Sequence, residues 1–301
     1  MRAIFLPVWC VTLSLTVTMT AQPAAPDKAA AVLAAAREAL GGEKKLSAVK
    51  TLVVTGRTKQ VRGDNLVPIE FEIAMELPDK YVRKDEIPAQ ESDPSTVGFN
   101  GADLIQFPVP TMPPARAGGP PPPTPAMLEA ARVARLANVR QDFARLTLGL
   151  FASSFSSVPL TFTYAGVAEA PQGKADVIDV KGAPNFAARL FINAETHLPI
   201  MITWTPPAPP QRGGPGRGPA DGRGPARGDG PPPGAPPMAG RGPAGPPPET
   251  RLYFGDYRET GGLQWPFRLR RAVGPDTVEE TTFDGFKING KIDPKKFLVR
   301  Q

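Results

Sequence analysis

The sequence predicts a mainly β protein with helices, built on one large, curved antiparallel sheet of about ten to twelve strands. From residue 51 to residue 107, and again after residue 159, apolar and polar residues alternate as in strands with one buried face. Turn signals such as Asn100-Gly101 and Gly261-Gly262 separate these runs, as expected for successive hairpins. An open sheet of this width usually curls instead of staying flat.

Two segments have helical periodicity. Apolar residues at three- and four-residue spacing predict an amphipathic helix over Lys28–Leu40, and Gly41-Gly42 ends it. A second helix is predicted over Met127–Leu150. Its basic residues lie largely off the predicted buried stripe: Arg132, Arg135, Arg140 and Arg145.

The segment from residue 69 to residue 77 is the clearest strand. Its odd-numbered positions are all apolar, and three glutamates occupy even-numbered positions: Ile69, Phe71, Ile73, Met75 and Leu77 against Glu70, Glu72 and Glu76. Because successive side chains of a strand point to opposite faces, this pattern predicts one face in the core and one face in water.

The first 21 residues have the pattern of a secretory signal peptide. Met1 and Arg2 provide a positive start, an apolar stretch follows, and small residues lead to a cleavage site near Ala21. Pro7 interrupts the apolar stretch, which disfavours the alternative of an uncleaved membrane anchor. Cleavage would remove Cys10, the one cysteine, and with it any disulfide or thiol chemistry. We therefore predict a periplasmic protein without an integral membrane segment, with secretion or peripheral attachment to the envelope as alternatives.

Residues 22–301 are predicted to form a single domain that carries two disordered proline-rich inserts, at 107–125 and 206–249. In the second insert 28 of 44 residues are Gly or Pro, and none is aromatic or β-branched. Its five arginines and three acidic residues give a net charge of only +2, and no aromatic residue is available to stack on bases. The whole chain has a net charge of +6, which permits an anionic partner without requiring one. Nucleic acid is therefore an unlikely partner.

The sequence contains no recognisable catalytic motif. His197, the one histidine, lies in a predicted turn and has no cluster of carboxylates at metal-ligand spacing beside it. The serines of "ASSFSS" lack the glycine context of a hydrolase nucleophile. We predict a protein that is not an enzyme and that uses neither a cofactor nor a metal.

Apolar side chains on the predicted sheet are the remaining candidates for a binding site. They form either a packed core or, in part, the wall of a pocket for acyl chains, which bind through buried area without any polar motif. The candidates are Phe71, Ile73, Met75, Phe162, Tyr164, Phe191, Ile200, Ile202, Trp204, Leu252, Phe254, Trp265 and Phe267.

Four stretches resemble the LolA/LolB-type lipoprotein carriers and their outer-membrane lipoprotein-sorting relatives. They are "ALGGEKKLSAVKTLVVTG", "FEIAMELPDKYVRKDE", "ARLFINAETHLPIMITW" and the C-terminal region from Tyr253 to Phe297. The resemblance implies an unclosed half-barrel whose concave side is covered by two or three helices and whose hollow binds lipid tails. On that basis Ile69–Leu77 belongs to the wall, and Lys28–Leu40 and Met127–Leu150 form the lid.

Together these features predict a non-catalytic periplasmic carrier or sensor of lipid or of the acyl chains of lipoproteins. The alternative is a structural or interaction protein of the envelope that displays its Pro/Gly-rich loops to a partner protein.

Deletion of residues 206–249 separates these two hypotheses. Because loop closure costs only roughly 0.6 kcal/mol per doubling of loop length, a carrier should still fold and bind lipid without the insert. Circular dichroism and a fluorescent fatty-acid titration measure this. A loop-displaying scaffold would instead keep its fold and lose its partner in a pull-down.

Overall fold

The computed structural model describes residues 25–110, 122–170, 173–207 and 247–299. The predicted signal peptide and most of both predicted inserts lie outside these residues.

The described residues form three α-helices, a short 3₁₀ helix and twelve strands. The helices are α1 (Ala25–Ala39), α2 (Glu43–Ser47) and α3 (Pro125–Phe151), and the 3₁₀ helix is Pro294–Phe297. The strands of the first half are β1 (Thr51–Arg62), β2 (Asn65–Glu76), β3 (Lys80–Glu86), β4 (Ser95–Asn100) and β5 (Asp103–Phe107). Those of the second half are β6 (Leu160–Ala170), β7 (Gly173–Gly182), β8 (Phe186–Asn193), β9 (Pro199–Trp204), β10 (Thr250–Thr260), β11 (Leu263–Val273) and β12 (Asp276–Ile288).

All twelve strands belong to one antiparallel sheet, in the order β5-β4-β3-β2-β1-β12-β11-β10-β9-β8-β7-β6. Consecutive strands are neighbours except after β5, where α3 takes the chain from one edge of the sheet to the other. The first and last strands meet in the middle, where Val54 of β1 pairs with Phe286 of β12. Since β5 and β6 remain as separate edges, the sheet is an unclosed half-barrel covered by helices, and the predicted fold class is confirmed at the upper end of its strand range.

The ends of both long helices differ from the prediction by a few residues. In the structure α1 begins at Ala25 and α3 begins at Pro125, a residue within the predicted first insert. Proline suits the first turn of a helix because the N–H it lacks would have no partner there. Thr124 caps α3 by accepting a hydrogen bond from the backbone N–H of Met127 at 3.3 Å. At the other end of the same insert, Phe107 is still part of β5 and pairs with Thr96 of β4.

The core fills most of the concave side of the sheet. α1 buries Ala29, Leu33 and Ala36, Leu40 is buried directly after it, and α3 is buried from Phe143 to Phe151. Aromatic rings continue the packing across the sheet: Trp265 stacks on Phe286 at 5.1 Å, and Phe151 meets Trp265 edge-on at 5.5 Å. The bulk of this side is therefore a solid core.

The predicted strand has the expected alternation from residue 69 to residue 75, with one exception on the opposite face, and it ends at Glu76, so the half-buried Leu77 lies just beyond it. Ile69, Phe71, Ile73 and Met75 are buried on the concave face, but Ala74 on the opposite face is buried as well. The 3₁₀ helix explains the exception, because its Phe297 packs with Ala74, Val82 and Ile105 in a second, small cluster. Lys296 of the same helix also pairs with Glu72, so part of the predicted wet face is covered by the C-terminal segment.

Gly149 lets α3 pack closely against the sheet. A Cβ atom at this position would lie 2.0 Å from the ring of Phe254 in β10. Gly149→Val should therefore lower the free energy of unfolding by about 1–3 kcal/mol through overpacking, measured by chemical denaturation.

Gly255→Val is the matched control, since a Cβ atom there would meet nothing within 4 Å among the described residues. Equal loss of stability in the two variants would contradict close packing of α3 on Phe254.

Candidate functional site

The interior of the half-barrel contains a hollow of about 260 Å³ between the middle of α3 and the concave face of the sheet. Strands from both halves of the sheet form its wall, β1–β4 on one side and β9–β12 on the other. Arg135, Val139, Asp142, Arg145 and Leu146 of α3 close it. The helix and the sheet thus enclose an unfilled space beside the solid core.

Part of the lining is apolar. These residues are Ile69, Ile73, Val97, Val139, Leu146, Trp204, Leu252, Leu269 and Phe283, with the ring of Tyr81 beside them. Ile73, Trp204 and Leu252 were among the residues proposed from the sequence as pocket candidates. Most of the lining lies on strands distant in sequence, so it comes together only through the sheet.

The other candidates occupy two kinds of position. Phe71, Met75, Ile202, Phe254, Trp265 and Phe267 are buried in the solid core, and Phe162 and Tyr164 are partly buried at its edge. Phe191 and Ile200 are only half-buried. Phe191 lies between Leu190 and Ile192, which are fully buried, so its side chain points to the convex face. A register shift between Phe191 and Ile192 changes the alternation where β8 pairs with β9, the strand of Ile200.

The rest of the lining is strongly charged, which differs from the purely apolar pocket expected from the sequence. Five arginines and three carboxylates contribute, a net charge of +2: Arg62, Arg83, Arg135, Arg145 and Arg271 with Asp85, Asp142 and Glu279. Each carboxylate already has an arginine partner. The N···O distances are 2.7 Å for Arg83–Asp85, 2.9 Å for Arg145–Asp142 and 3.6 Å for Arg271–Glu279.

Arg145 is the most deeply buried of these charges. The sequence placed it largely off the buried stripe of its helix, but it is only 9% exposed. Its guanidinium lies 4.4 Å from the ring of Trp204 and donates to Asp142 at 2.9 Å and to Gln141 at 3.0 Å. Burial lowers the pKa of Arg145, and the nearby positive charge of Arg271 acts in the same direction, against the attraction of Asp142. Because the sheet is curved, strand residues lie on both sides of α3 and enclose Arg145. Helical periodicity shows which side of a helix is apolar, but it does not show which residues of other elements surround it.

Two signals in the sequence could have indicated this charged wall. Arg83 and Asp85 are two apart on one strand, so their side chains share a face. Arg271 and Glu279 lie directly opposite each other in the hairpin of β11 and β12. The second signal requires the register of the hairpin, which a bulge next to Arg271 shifts.

A larger groove of about 540 Å³ lies on the convex side, between the C-terminal segment and the strands β2–β5. Exposed residues such as Asp93, Lys295 and Leu298 line it. The interior hollow is the better candidate site because a cavity between helix and sheet removes more of a ligand's surface from water than an open groove.

The structure confirms the turn predicted at His197. Its backbone is left-handed, with φ of 57°, and its N–H donates to the carbonyl of Asn193 at 2.9 Å. The side-chain oxygen of Asn193 accepts from the N–H groups of Glu195 and Thr196, which fixes the turn between β8 and β9. In the described ranges no three His, Cys, Asp or Glu residues cluster as metal ligands, and no helix there is long and apolar enough to cross a bilayer.

No protein-family model matches the chain, and no curated protein matches it in sequence. Solved structures do resemble it. A LolA superfamily protein from Nitrosomonas europaea superposes with a TM-score of 0.50 and 12% identity, over 90% of this chain and 97% of that one. The chain has a LolA-like fold.

Two further structures are similar at lower scores. A DUF1329 family protein from Desulfovibrio piger has a TM-score of 0.44 and 7% identity, over 90% of this chain and 97% of its own. The domain of a putative outer membrane lipoprotein-sorting protein from Vibrio parahaemolyticus has a TM-score of 0.45 and 8% identity, over 89% and 97%. The superposition with the Nitrosomonas europaea protein confirms the resemblance found in the sequence, for the LolA-like fold alone.

The phenol of Tyr81, in the wall of the hollow, makes the stability of the fold depend on pH. Burial raises the pKa of Tyr81 well above its ordinary value. Since the unfolded chain releases this proton near pH 10 and the folded chain does not, Tyr81 stabilises the fold fully below about pH 10 and its contribution falls as pH rises.

Tyr81→Phe keeps the ring packed against Phe99 and Phe143. Above about pH 10 the variant should lose less stability than the wild type, by about 1.4 kcal/mol for each pH unit. Urea denaturation of the variant and the wild type from pH 8 to pH 11.5 measures this. Identical pH profiles would mean that Tyr81 ionises within the folded protein.

Proposed function

We propose that the protein is a non-catalytic carrier or sensor that binds lipid, or the acyl chain of a lipoprotein, in the periplasm of a bacterium. The observation that carries the proposal is the hollow between α3 and the concave face of the sheet, with its partly apolar wall. The alternating strands that form this wall leave room for a hydrocarbon guest beside a core that is otherwise closed.

The size of the hollow sets a condition on binding. Pockets for small ligands usually measure about 300–1,000 Å³, so a space of about 260 Å³ accepts only part of a long chain. A longer chain must displace side chains of the protein, and α3 is the element that closes the hollow. Its first turns, up to Arg135, are exposed, and its buried part begins at Val139. We expect α3 to move away from the sheet when a long chain binds.

The apolar candidates keep distinct roles under this proposal. Ile73, Trp204 and Leu252 contact the guest directly. The core candidates Phe71, Met75, Ile202, Phe254, Trp265 and Phe267 lie behind the wall and become accessible only as the hollow widens, as do Phe162 and Tyr164 near α1. Phe191, on the convex face, is expected to make no contact with the ligand.

The LolA-like fold supports the proposal because helices cover the concave side of the sheet, where the hollow lies. The proposed periplasmic location depends on the signal-peptide pattern of residues 1–21, and the link to lipoproteins on the resemblance of the four sequence stretches.

The test is ligand binding by the mature chain, with a variant that fills the hollow. Mass spectrometry of an organic extract and titration with a fluorescent fatty acid should reveal bound lipid and saturable uptake. Val139→Phe adds volume inside the hollow, at a residue 4% exposed, and should weaken uptake at least about tenfold, a change of ~1.4 kcal/mol.

Val133→Phe is the matched control, because Val133 lies on the same helix but is 53% exposed. It should bind like the wild type. Absence of both extracted lipid and saturable uptake contradicts the proposal, and equal affinity of the two variants contradicts the hollow as the site.

A further inference from the structure

We propose that the hollow also contains a subsite for an anionic group, so that the preferred guest is an acyl chain with a carboxylate or phosphate held between Arg145 and Arg271. This inference rests on the proposed function and specifies the chemical class of its ligand.

Unpaired donors on two arginines that line the hollow are the first observation. The Nε atoms of Arg145 and Arg271 are buried, and neither has a hydrogen-bond partner among the described residues. A guanidinium has five N–H donors and no acceptor, and a buried donor without a partner destabilises the protein. An anion between the two arginines would supply acceptors to both.

The balance of charge is the second observation. Both arginines line the same hollow, and the positive charge of Arg271 disfavours the charged form of Arg145. The three carboxylates of the hollow leave a net charge of +2, and the one facing Arg271, Glu279, is 3.6 Å away, beyond ordinary hydrogen-bond distance. The two excess charges belong to the exposed Arg62 and Arg135. An anion beside the loosely paired Arg271 would reduce the repulsion between Arg271 and Arg145.

The orientation of Arg145 is the third observation. The faces of Trp204 and Phe186 lie 4.4 and 5.4 Å from its guanidinium, and Asp142 and Gln141 hold its terminal nitrogens. The Nε–H donor is thus held in a fixed position. Planar guanidinium groups fixed in this way suit carboxylate and phosphate oxygens.

The mixed lining matches an amphipathic ligand. Ile73, Val139 and Leu146 provide an apolar surface for the tail, and Arg145 and Arg271 provide donors for the head. Arg62 and Arg135 are exposed members of the same lining, where their charge would attract an anion before it enters.

The experiment compares ligands of one chain length that differ only in the head: dodecanoate, dodecyl phosphate and dodecanol. Calorimetry or displacement of a fluorescent fatty acid from the mature wild-type protein measures each affinity. The two anions should bind at least about tenfold more tightly than the alcohol, as expected for hydrogen bonds between charged groups. Whichever of the two anions binds more tightly shows whether the subsite prefers a carboxylate or a phosphate head. Binding of inorganic phosphate tests whether the head group binds without the acyl chain.

Three variants locate the subsite. Arg271→Gln should remove about tenfold of the preference for anions and leave the affinity for dodecanol unchanged. Arg270→Gln is its matched control, since Arg270 is the preceding residue of β11 and lies over Tyr253 on the convex face. Glu279→Gln frees Arg271 from its carboxylate and should strengthen anion binding several-fold, an outcome that loss of folding cannot imitate.

Equal affinities for dodecanoate, dodecyl phosphate and dodecanol in the wild type would overturn the anionic subsite while leaving the proposed carrier intact. An anion preference unchanged by both Arg271→Gln and Glu279→Gln would do the same. Absence of binding by all three ligands would overturn the proposed function together with the subsite.

Discussion

Covering the concave face of a wide open sheet is the constraint on which the rest of this structure depends. Twelve antiparallel strands present a trough of apolar side chains, and α3 lies along it. Close packing at Gly149 and Phe254 holds one part of the helix on the sheet. An α-helix is a nearly straight cylinder about 10 Å wide, so it does not fill a curved trough along its whole length. The hollow beside Val139 is the part left unfilled.

The same constraint explains why arginines lie inside. A helix that lies along a trough has strands on both sides. Residues beside its apolar stripe, such as Arg145, are therefore enclosed. Burying a charge is unfavourable unless it is paired, and the pairs of Arg145 with Asp142 and of Arg83 with Asp85 meet part of that requirement. A lining that mixes ion pairs with apolar side chains differs from a uniformly apolar cavity, because it offers contacts to both parts of the proposed amphipathic guest.

The meander topology also relates the hollow to the proline-rich segments. In an antiparallel meander alternate connections lie at the same end of the sheet. By this rule the end of β5 at Phe107, the end of β9 at Trp204 and the start of β10 at Thr250 lie at the same end of the sheet as the turn after Arg62. Trp204 and Arg62 both line the hollow. The strand ends that lead into both segments therefore share the end of the sheet where the hollow has an exposed arginine.

The sequence by itself determined the strands, their succession and the two long helices, because alternation, helical spacing and turn residues are local properties. The LolA-like fold was implied by the resemblance of four stretches to a known family. It also identified Ile73, Trp204 and Leu252 as apolar candidates, since each lies on the buried face of a strand. Only the tertiary structure separated these three from Trp265 and Phe267, which fill the core, and from Phe191, which points outward.

The charged half of the site was decided by the tertiary structure alone. The meeting of Arg145 with Trp204 joins residues far apart in sequence, and that of Arg271 with Glu279 depends on the register of a bulged hairpin. Burial of the face opposite Ile73 likewise required the C-terminal 3₁₀ helix to pack on Ala74. Periodicity shows which side of an element is apolar. Which charges share an enclosed space depends on the curvature of the sheet and on long-range pairing, and no local pattern encodes either.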